Sequence, residues 1–385
     1  MFSGAGGLDY GFLKLGFECL GAYDIDPIAV ENYKRNLGDH IYLHDLTCDD
    51  LPNSSHIKSV DLIISGSPCQ GFSTLGKGDP NDIRNQLFLR NMYYIEKYMP
   101  KYFISENVKG ILSKKNSFYI QIMKQKLNDL GYSFHYFIVS LSDYGVSQKR
   151  QRVIFFASMT NKSCIEIEKI PVKSLIDEIC GASILPNGDK FFNVTQEIRD
   201  ISKFIPEGCC LSDVRSGKKY VNSWDIPQIF GYTSDIEKQI LLAIQKLRRR
   251  IRVRDFGDAD PVSLEDLDNY LKISSLSTVL NLVSKGYLVM VGERIDLRRR
   301  FNGLFRRPLR DGFSPTVDTH FGSPKYFLHP VEDRGFSVRE AAMIQGFSPD
   351  YIFKGSVDQI FRIIGNAVPP RLSTQLAKSI LKYDN

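Results

Sequence analysis

The sequence predicts an α/β domain on a mostly parallel sheet, interrupted by a smaller inserted region. Two observations lead there. Over residues 1–160, β-rich apolar runs alternate with stretches of helical periodicity. Such alternation builds a sheet covered by helices. After about Ser158 the alternation lapses, and enzyme-like sequence resumes near Pro308. The expected divisions are therefore a catalytic domain over 1–158, an inserted region over 159–305, and a return to the first domain over 306–385.

Within the first part, strands are expected at 18–23, 62–65, 102–105, 134–141 and 153–157. Helices are expected at 27–36, 86–98 and 118–130. In the insert, Gly, Pro and Asn at 186–189 and 206–208 mark loops. A helix runs from Ser234 to about Arg249, and a break follows at 257–261. Helices at 263–271, with a serine cap, and at 274–284 come next. Short strands around 286–289 and 294–297 close the region. Helices followed by a two-stranded wing have the layout of a winged helix-turn-helix over 234–298. Other small helical subdomains share that layout. A helix over 370–383 ends the chain.

Of the 385 residues, 43% are hydrophobic and 24% charged, proportions of a globular chain rather than a collagen-like or disordered one. No apolar run is long enough to span a bilayer, and the start lacks a basic flank leading into an apolar stretch. Seven scattered cysteines suit a reducing cytosol rather than a disulfide scaffold. Cys19, Cys48, Cys164, Cys180, Cys209 and Cys210 show no metal-ligand spacing, so no metal is expected. Lys and Arg number 50 against 44 Asp and Glu, a net +6. That excess is compatible with nucleic acid without arguing for it.

Two segments carry candidate chemistry. Phe2-Ser3-Gly4-Ala5-Gly6-Gly7 is glycine-dense and leads into an apolar helix, so its backbone can approach a ligand closely. Asp24-Ile25 closes the next apolar run, where a carboxylate can hold ribose hydroxyls. Asp45-Leu46 after a third run could meet an adenine ring. A tight turn with ordinary acidic caps gives the same pattern. No strand precedes the loop. Either the true start lies upstream, or another segment covers that sheet position, or the cofactor site is imperfect. The second segment is Ser65-Gly66-Ser67-Pro68-Cys69-Gln70-Gly71. A thiol on a polar, glycine-rich loop at a strand's carboxyl end can act as a nucleophile. A lone cysteine is more often a small buried apolar residue, but these flanks are polar.

Taken together, the motifs resemble the DNA cytosine-5 methyltransferases. Phe2–Gly7 looks like that family's cofactor loop, and Gly66 to Gln70 like its nucleophile loop. Asp82-Ile83-Arg84 through Phe88 looks like the segment that follows. Glu106-Asn107-Val108 is similar to its acidic triplet, and Gln148-Lys149-Arg150-Gln151-Arg152 to its arginine motif. Arg307-Pro308, Pro315-Thr316-Val317, Gln345-Gly346-Phe347 and the run from Gly365 to Pro370 complete the order. The ribose-binding acid is Asp24 where many members have Glu, a shorter reach with the same charge.

The resemblance implies a Rossmann-like methyltransferase sheet with an inserted DNA-recognition domain. It also implies S-adenosyl-L-methionine as cofactor and double-stranded DNA as substrate. The target cytosine would be flipped out of the helix. Cys69 would add to C6, and C5 would become enamine-like and accept the methyl group. Glu106 would bind N3 and the exocyclic amine. Arg152 would support the base carbonyl, and Arg150 would orient its neighbours. Cofactor contacts would come from Phe2, Gly4, Gly6, Gly7, Asp24, Ile25, Asp45 and Leu46. Gly66, Pro68, Leu87, Asn366 and Val368 would add to them. Gln70, Ser73 and Arg84 would touch DNA, as would Arg248, Arg249, Arg250, Arg298 and Arg299 of the insert. A basic run is also the common signature of a solvated face. The family implies a cytoplasmic monomer, paired with a restriction endonuclease or acting as an orphan regulator. Two other functions stay open at this level: tRNA cytosine-5 methylation, and a catalytically silent DNA-binding homologue.

Overall fold

A computed structural model describes residues 1–68, 86–160, 164–252, 254, 259–298 and 301–384, with only the backbone of Gln86. The chain begins with α1 (Asp9–Lys14), β1 (Ala22–Asp24), α2 (Pro27–Leu37), β2 (Ile41–Leu43), β3 (Leu62–Ser65), α3 (Gln86–Tyr98) and β4 (Tyr102–Val108). It continues with α4 (Ser117–Asp129), β5 (Ser133–Ser140), β6 (Gln151–Ser158), α5 (Leu175–Ile179), α6 (Gln196–Ser202), β7 (Cys210–Ser212) and β8 (Tyr220–Val221). Next come α7 (Pro227–Phe230), α8 (Asp235–Arg250), α9 (Leu264–Leu271), α10 (Leu276–Lys285), β9 (Leu288–Val291), β10 (Arg294–Leu297) and β11 (Asn302–Leu304). Last are α11 (Val338–Gln345), α12 (Val357–Asn366) and α13 (Pro370–Asp384). This is a mixed α/β fold in two compact units. One comprises Met1–Phe191, Asp311–Phe321 and Ser337–Asn385, the other Phe192–Arg310 and Gly322–Phe336.

The first unit carries a four-stranded sheet in the order β3-β4-β6-β5 and a parallel pair β1-β2. β4 reads Tyr-Phe-Ile-Ser-Glu-Asn-Val and is buried from Tyr102 through Asn107, the signature of a strand covered on both faces. α2 starts where the Asp26 side chain accepts the Ile28 N–H and Pro27 presets the first turn. In the larger sheet β3, β4 and β5 point the same way, and β6, between β4 and β5, is antiparallel to both of its neighbours. Three of its four strands thus share one direction, and β6 is the reversed one. The link from β5 to β6 spans only 141–150, short of the dozen or so residues that a parallel crossover needs.

Met1 to Ser3 joins the two sheets. The Met1 ammonium donates to the Ile64 carbonyl at 2.9 Å, and the Gly66 N–H donates to the Met1 carbonyl at 3.1 Å. The Ser3 N–H donates to the Tyr23 carbonyl at 3.0 Å. These residues thus occupy the carboxyl-end portion of a strand position between β1 and β3. Toward the opposite strand ends lies a cavity of about 360 Å³, lined by Met1, Cys19 and Tyr23 on one side and Val60, Leu62 and Ile64 on the other. Burial lowers the pKa of the Met1 ammonium, and the charge on Asp9 opposes that shift.

The C-terminal helix returns to the first one. The Gly11 N–H donates to Ser373 Oγ at 3.0 Å, and a Cβ at Gly11 would lie 2.2 Å from the Thr374 nitrogen. Only glycine permits this approach of α1 to α13.

In the second unit, α8, α9, α10 and the antiparallel hairpin β9-β10 enclose a core that includes Trp224, Ile244, Leu282 and Ile295. α8 opens with a capping box between Ser234 and Glu237. A second cluster around Ile205, Leu211, Phe301 and Leu328 packs beside β11-β7-β8.

Candidate active site

Ligands in open α/β sheets bind beyond the carboxyl ends of the parallel strands, and the described site residues of the first unit gather there. β6 runs antiparallel to β4, so its beginning lies beside the end of β4. The register sets Ile154 opposite Glu106 and Arg152 opposite Val108. Arg152 therefore reaches back two residues along β4, and its Nε meets Glu106 Oε1 at 2.7 Å. Their side chains are only 13% and 10% exposed. In that shelter the two charges face each other as an ion pair, while Arg152 Nη1 donates to the Gln151 carbonyl at 2.8 Å. Next along the strand, Asn107 Nδ2 lies 3.4 Å from both the carbonyl and the Oγ of Ser67. This contact ties the end of β4 to the loop leading on to Cys69. Cys69, Gln70, Ser73 and Arg84 themselves lie outside the described residues.

The glycine loop converges on the same region. Phe2, Gly4 and Gly6 all have positive φ, which bends the loop sharply. A Cβ at Gly7 would lie 2.2 Å from the Val368 carbonyl, and one at Gly66 would lie 3.3 Å from that of Phe2. Phe2, Gly7, Gly66 and Val368 are thus brought together by backbone approach. Asp24, at the end of β1, accepts the Gly4 N–H at 2.7 Å on one oxygen and the Asp26 N–H at 2.9 Å on the other. Desolvation pushes its pKa up, and the two N–H donors pull against that. Ile25 beside it is 65% exposed.

Asp45 is exposed and accepts the Thr47 N–H at 2.9 Å, which lowers its pKa. The Leu46 side chain is buried in an apolar cluster with Leu51, Phe88 and Met92. This corrects the expectation that it meets an adenine ring, because the side chain is enclosed and the carbonyl already accepts from Arg90 Nε at 2.7 Å. Leu87 is half-buried in the first turn of α3, Pro68 is half-buried, and Asn366 is exposed at the end of α12. Cys19, lining the cavity between β1 and β3, is pushed up to about 11 by burial and is no competing nucleophile.

Arg150 departs from its expected place on one strand face with Arg152. It precedes β6 and is buried, and its Nη1 donates to the carbonyls of Val317 at 2.8 Å and Gly365 at 3.2 Å. Strand alternation does not extend to it, because β6 begins only at Gln151. Two buried glutamines complete this brace, and the sequence assigned neither a role. Gln148 Nε2 donates to Gln345 Oε1 at 2.6 Å, while Gln148 Oε1 accepts the Val317 N–H at 3.1 Å. Gln345 Nε2 also donates to the carbonyls of Ile364 and Ala367. Together these residues hold the turn from Gly365 to Val368 against the glycine loop. Their position inside two of the family-like motifs was the available signal.

In the second unit, Arg249 and Arg250 are exposed at the end of α8, Arg298 is exposed, and Arg299 lies outside the described residues. Arg248 corrects its expectation as a DNA contact. It is 3% exposed and paired with the equally buried Asp296, so it serves the core of the unit.

No described helix is long and apolar enough to cross a membrane. Among the described residues, no group of His, Cys, Asp or Glu is placed to hold a metal ion.

Residues 1–382 match the family model of the C-5 cytosine-specific DNA methylases. The chain is 27% identical to the Type II methyltransferase M.HgiCII of Herpetosiphon aurantiacus, over 99% of this chain and 95% of that protein. It is 28% identical to M.DdeI of Desulfomicrobium norvegicum, over 100% and 88% respectively. It is 29% identical to M.AgeI of Thalassovita gelatinovora, over 99% and 98%. Among solved structures, the Dnmt2 methyltransferase of S. pombe matches with a TM-score of 0.52 at 16% identity, covering 100% of this chain and 97% of that one. The Entamoeba histolytica methyltransferase EhMeth matches at 0.53 and 15%, with the same coverage. At such identities the two structures speak to fold alone.

Proposed function

The chain belongs to the C-5 cytosine-specific DNA methylase family, and from that premise we propose a DNA (cytosine-5) methyltransferase in which Cys69, Glu106 and Arg152 carry the chemistry. The substrate is a cytosine within a specific double-stranded sequence. The observation that carries this reading is the sheltered Glu106–Arg152 pair, at the strand ends that also hold the glycine loop and lead into Cys69.

The donor we assign is S-adenosylmethionine, which supplies an electrophilic methyl group when bound. The residues present suit such a group. Gly4 has open space where a Cβ would stand, which allows close approach, and Asp24 offers a carboxylate to vicinal hydroxyls. The exposed Ile25 offers an apolar face beside it. Phe2, Gly4, Gly6, Asp45, Leu87, Asn366 and Val368 complete the proposed cofactor contacts.

C5 of cytosine is a weak nucleophile inside an aromatic ring. The Cys69 thiolate adds to C6, forming a C–S bond and sending the ring electrons toward N3. Glu106 gives a proton to N3, where that charge collects, and accepts a hydrogen bond from the exocyclic amine, with Arg152 beside it. C5, now enamine-like, takes the methyl group. Loss of the C5 proton to water, breakage of the C6–S bond and return of the N3 proton to Glu106 then restore the ring and the thiolate. The target base must leave the stack first. The winged-helix layout at α8 to β10 belongs to the proposed recognition region. The relatives M.HgiCII, M.DdeI and M.AgeI are Type II methyltransferases by name. A restriction endonuclease for the same sequence is the proposed companion.

The direct test is incorporation of labelled methyl from S-adenosylmethionine into duplex DNA and into tRNA, followed by bisulfite sequencing of the DNA. Label in cytosines of one recurring duplex sequence is the expected result. Label confined to tRNA, or duplex binding without label, overturns it.

Two substitutions probe the roles separately. Glu106→Gln keeps the shape but removes the carboxyl chemistry. It is expected to lower kcat by about 10²- to 10³-fold, with S-adenosylmethionine affinity unchanged by equilibrium dialysis. Asp24→Asn sets an amide NH₂ against one of the two backbone N–H groups that the carboxylate accepts. Its cofactor Kd is expected to rise about tenfold or more, with near-normal turnover once the cofactor saturates.

A further inference from the structure

The second unit contains two surfaces that could meet DNA, and their chemistry differs. In a winged helix-turn-helix the second helix of the turn enters the groove. That helix would be α10. Its outward side chains Leu276, Ser277, Leu280, Asn281 and Ser284 include no cation. Its one lysine, Lys285, is engaged by Glu237 Oε1 at 2.7 Å and by the Tyr232 carbonyl at 3.0 Å. Such a face has nothing with which to displace the counterions of a phosphate backbone.

The other surface lies where the β7–β8 turn meets α8. The turn places Arg215, Lys218 and Lys219 at the surface, and α8 places Lys246, Arg249 and Arg250 there. A concavity of about 500 Å³ opens between the two elements, lined by Arg215, Tyr220, Lys246 and Arg249 among others. Its walls are fixed. The buried Gln245 donates to the Asp213 carbonyl at 2.9 Å, and Arg249 Nη2 donates to the Val214 carbonyl at 3.4 Å. Arg215 Nη1 donates to Tyr220 Oη at 3.3 Å, which holds the guanidinium at the rim. Two chain segments thus bring converging cations to one hollow.

We propose that this concavity between the β7–β8 turn and α8 seats the sugar-phosphate backbone of duplex DNA, and that α10 is not a groove-reading helix. The proposal rests on the DNA reading of the previous subsection and adds where the duplex is held. Lys246 follows the helical spacing of Arg249 and Arg250 on α8. Arg215, Lys218 and Lys219 lie far from them in sequence.

The test uses the full chain, without cofactor, and fluorescence anisotropy on a non-specific duplex across a salt series. The triple variant Arg215→Gln/Lys246→Gln/Arg249→Gln is expected to raise Kd at least about tenfold. It is also expected to reduce the slope of log K against log salt by about 2 to 3, near 0.9 for each phosphate no longer neutralised. Thermal melting reports whether the variant stays folded. In the contrasting variant Ser277→Glu/Leu280→Glu, acid is placed on the outer face of α10, and binding is expected to stay within about twofold of wild type. An unchanged slope in the folded triple variant overturns the proposal, as does a tenfold loss in the α10 variant. In either case, methyl transfer to duplex DNA by the unaltered chain would leave the assigned activity standing.

Discussion

Cys69→Ala is expected to lower methyl transfer by about four orders of magnitude or more, the scale at which a covalent nucleophile matters. Without addition at C6, C5 remains part of an aromatic ring, and neither Glu106 nor Arg152 supplies a substitute bond. The adduct itself can be read out. On duplex DNA with 5-fluorocytosine at the target, the wild type is expected to stop at a stable protein–DNA species. Fluorine cannot depart from C5 as the proton does, so the C6–S bond is not released. Cys69→Ala is expected to form no such species while binding cofactor and duplex normally. A denaturing gel decides the matter, and turnover within tenfold of wild type in the variant would defeat the mechanism. Because Cys19 is held protonated by burial, it offers no rescue.

Arg307→Met is expected to destabilise the second unit by roughly 3–5 kcal/mol, the combined cost of taking a charged donor from several buried carbonyls. Arg307 is buried, and all five of its N–H donors are used. Nε donates to the Ile205 carbonyl at 2.7 Å, Nη1 to those of His329 and Glu332, and Nη2 to the Ser202 carbonyl and Asp333 Oδ1. Methionine fills much of the stem but takes the charged donor from the carbonyls of Ile205, His329 and Glu332, and leaves that of Ser202 with the Ile205 N–H. The guanidinium fastens the end of α6 to 329–333, so amide exchange should accelerate in those two segments first. Hydrogen-exchange mass spectrometry tests this, and a cost below about 1 kcal/mol would show that the carbonyls find other donors.

Some of this was legible in the chain because its signals are local. An apolar run bounded by polar and glycine residues locates a strand such as β3 to the residue, and helical periodicity located α3 equally well. Direction is another matter. An apolar run reads the same for either orientation, which is why the reversed direction of β6 needed the structure. The arginines show the same limit. Arg248, Arg249 and Arg250 are alike in sequence, yet Arg248 meets Asp296, far along the chain, and is drawn into the core. Gln148 and Gln345 pair across almost two hundred positions, a distance at which no spacing rule operates. Arg215 and Lys246 likewise become neighbours only when β7–β8 folds against α8.

The strand position begun by Met1 to Ser3 has a practical bearing on handling the protein. The nitrogen of Met1 lies within the sheet, bonded to Ile64, and the cavity opens beside it. Any affinity tag fused ahead of Met1 must therefore pass between β1 and β3. That passage is lined by Asp9, Glu18 and Asp61 as well as by apolar side chains, and a few extended residues would complete backbone pairing there. The exposed end of α13 offers a purification handle its natural exit to solvent.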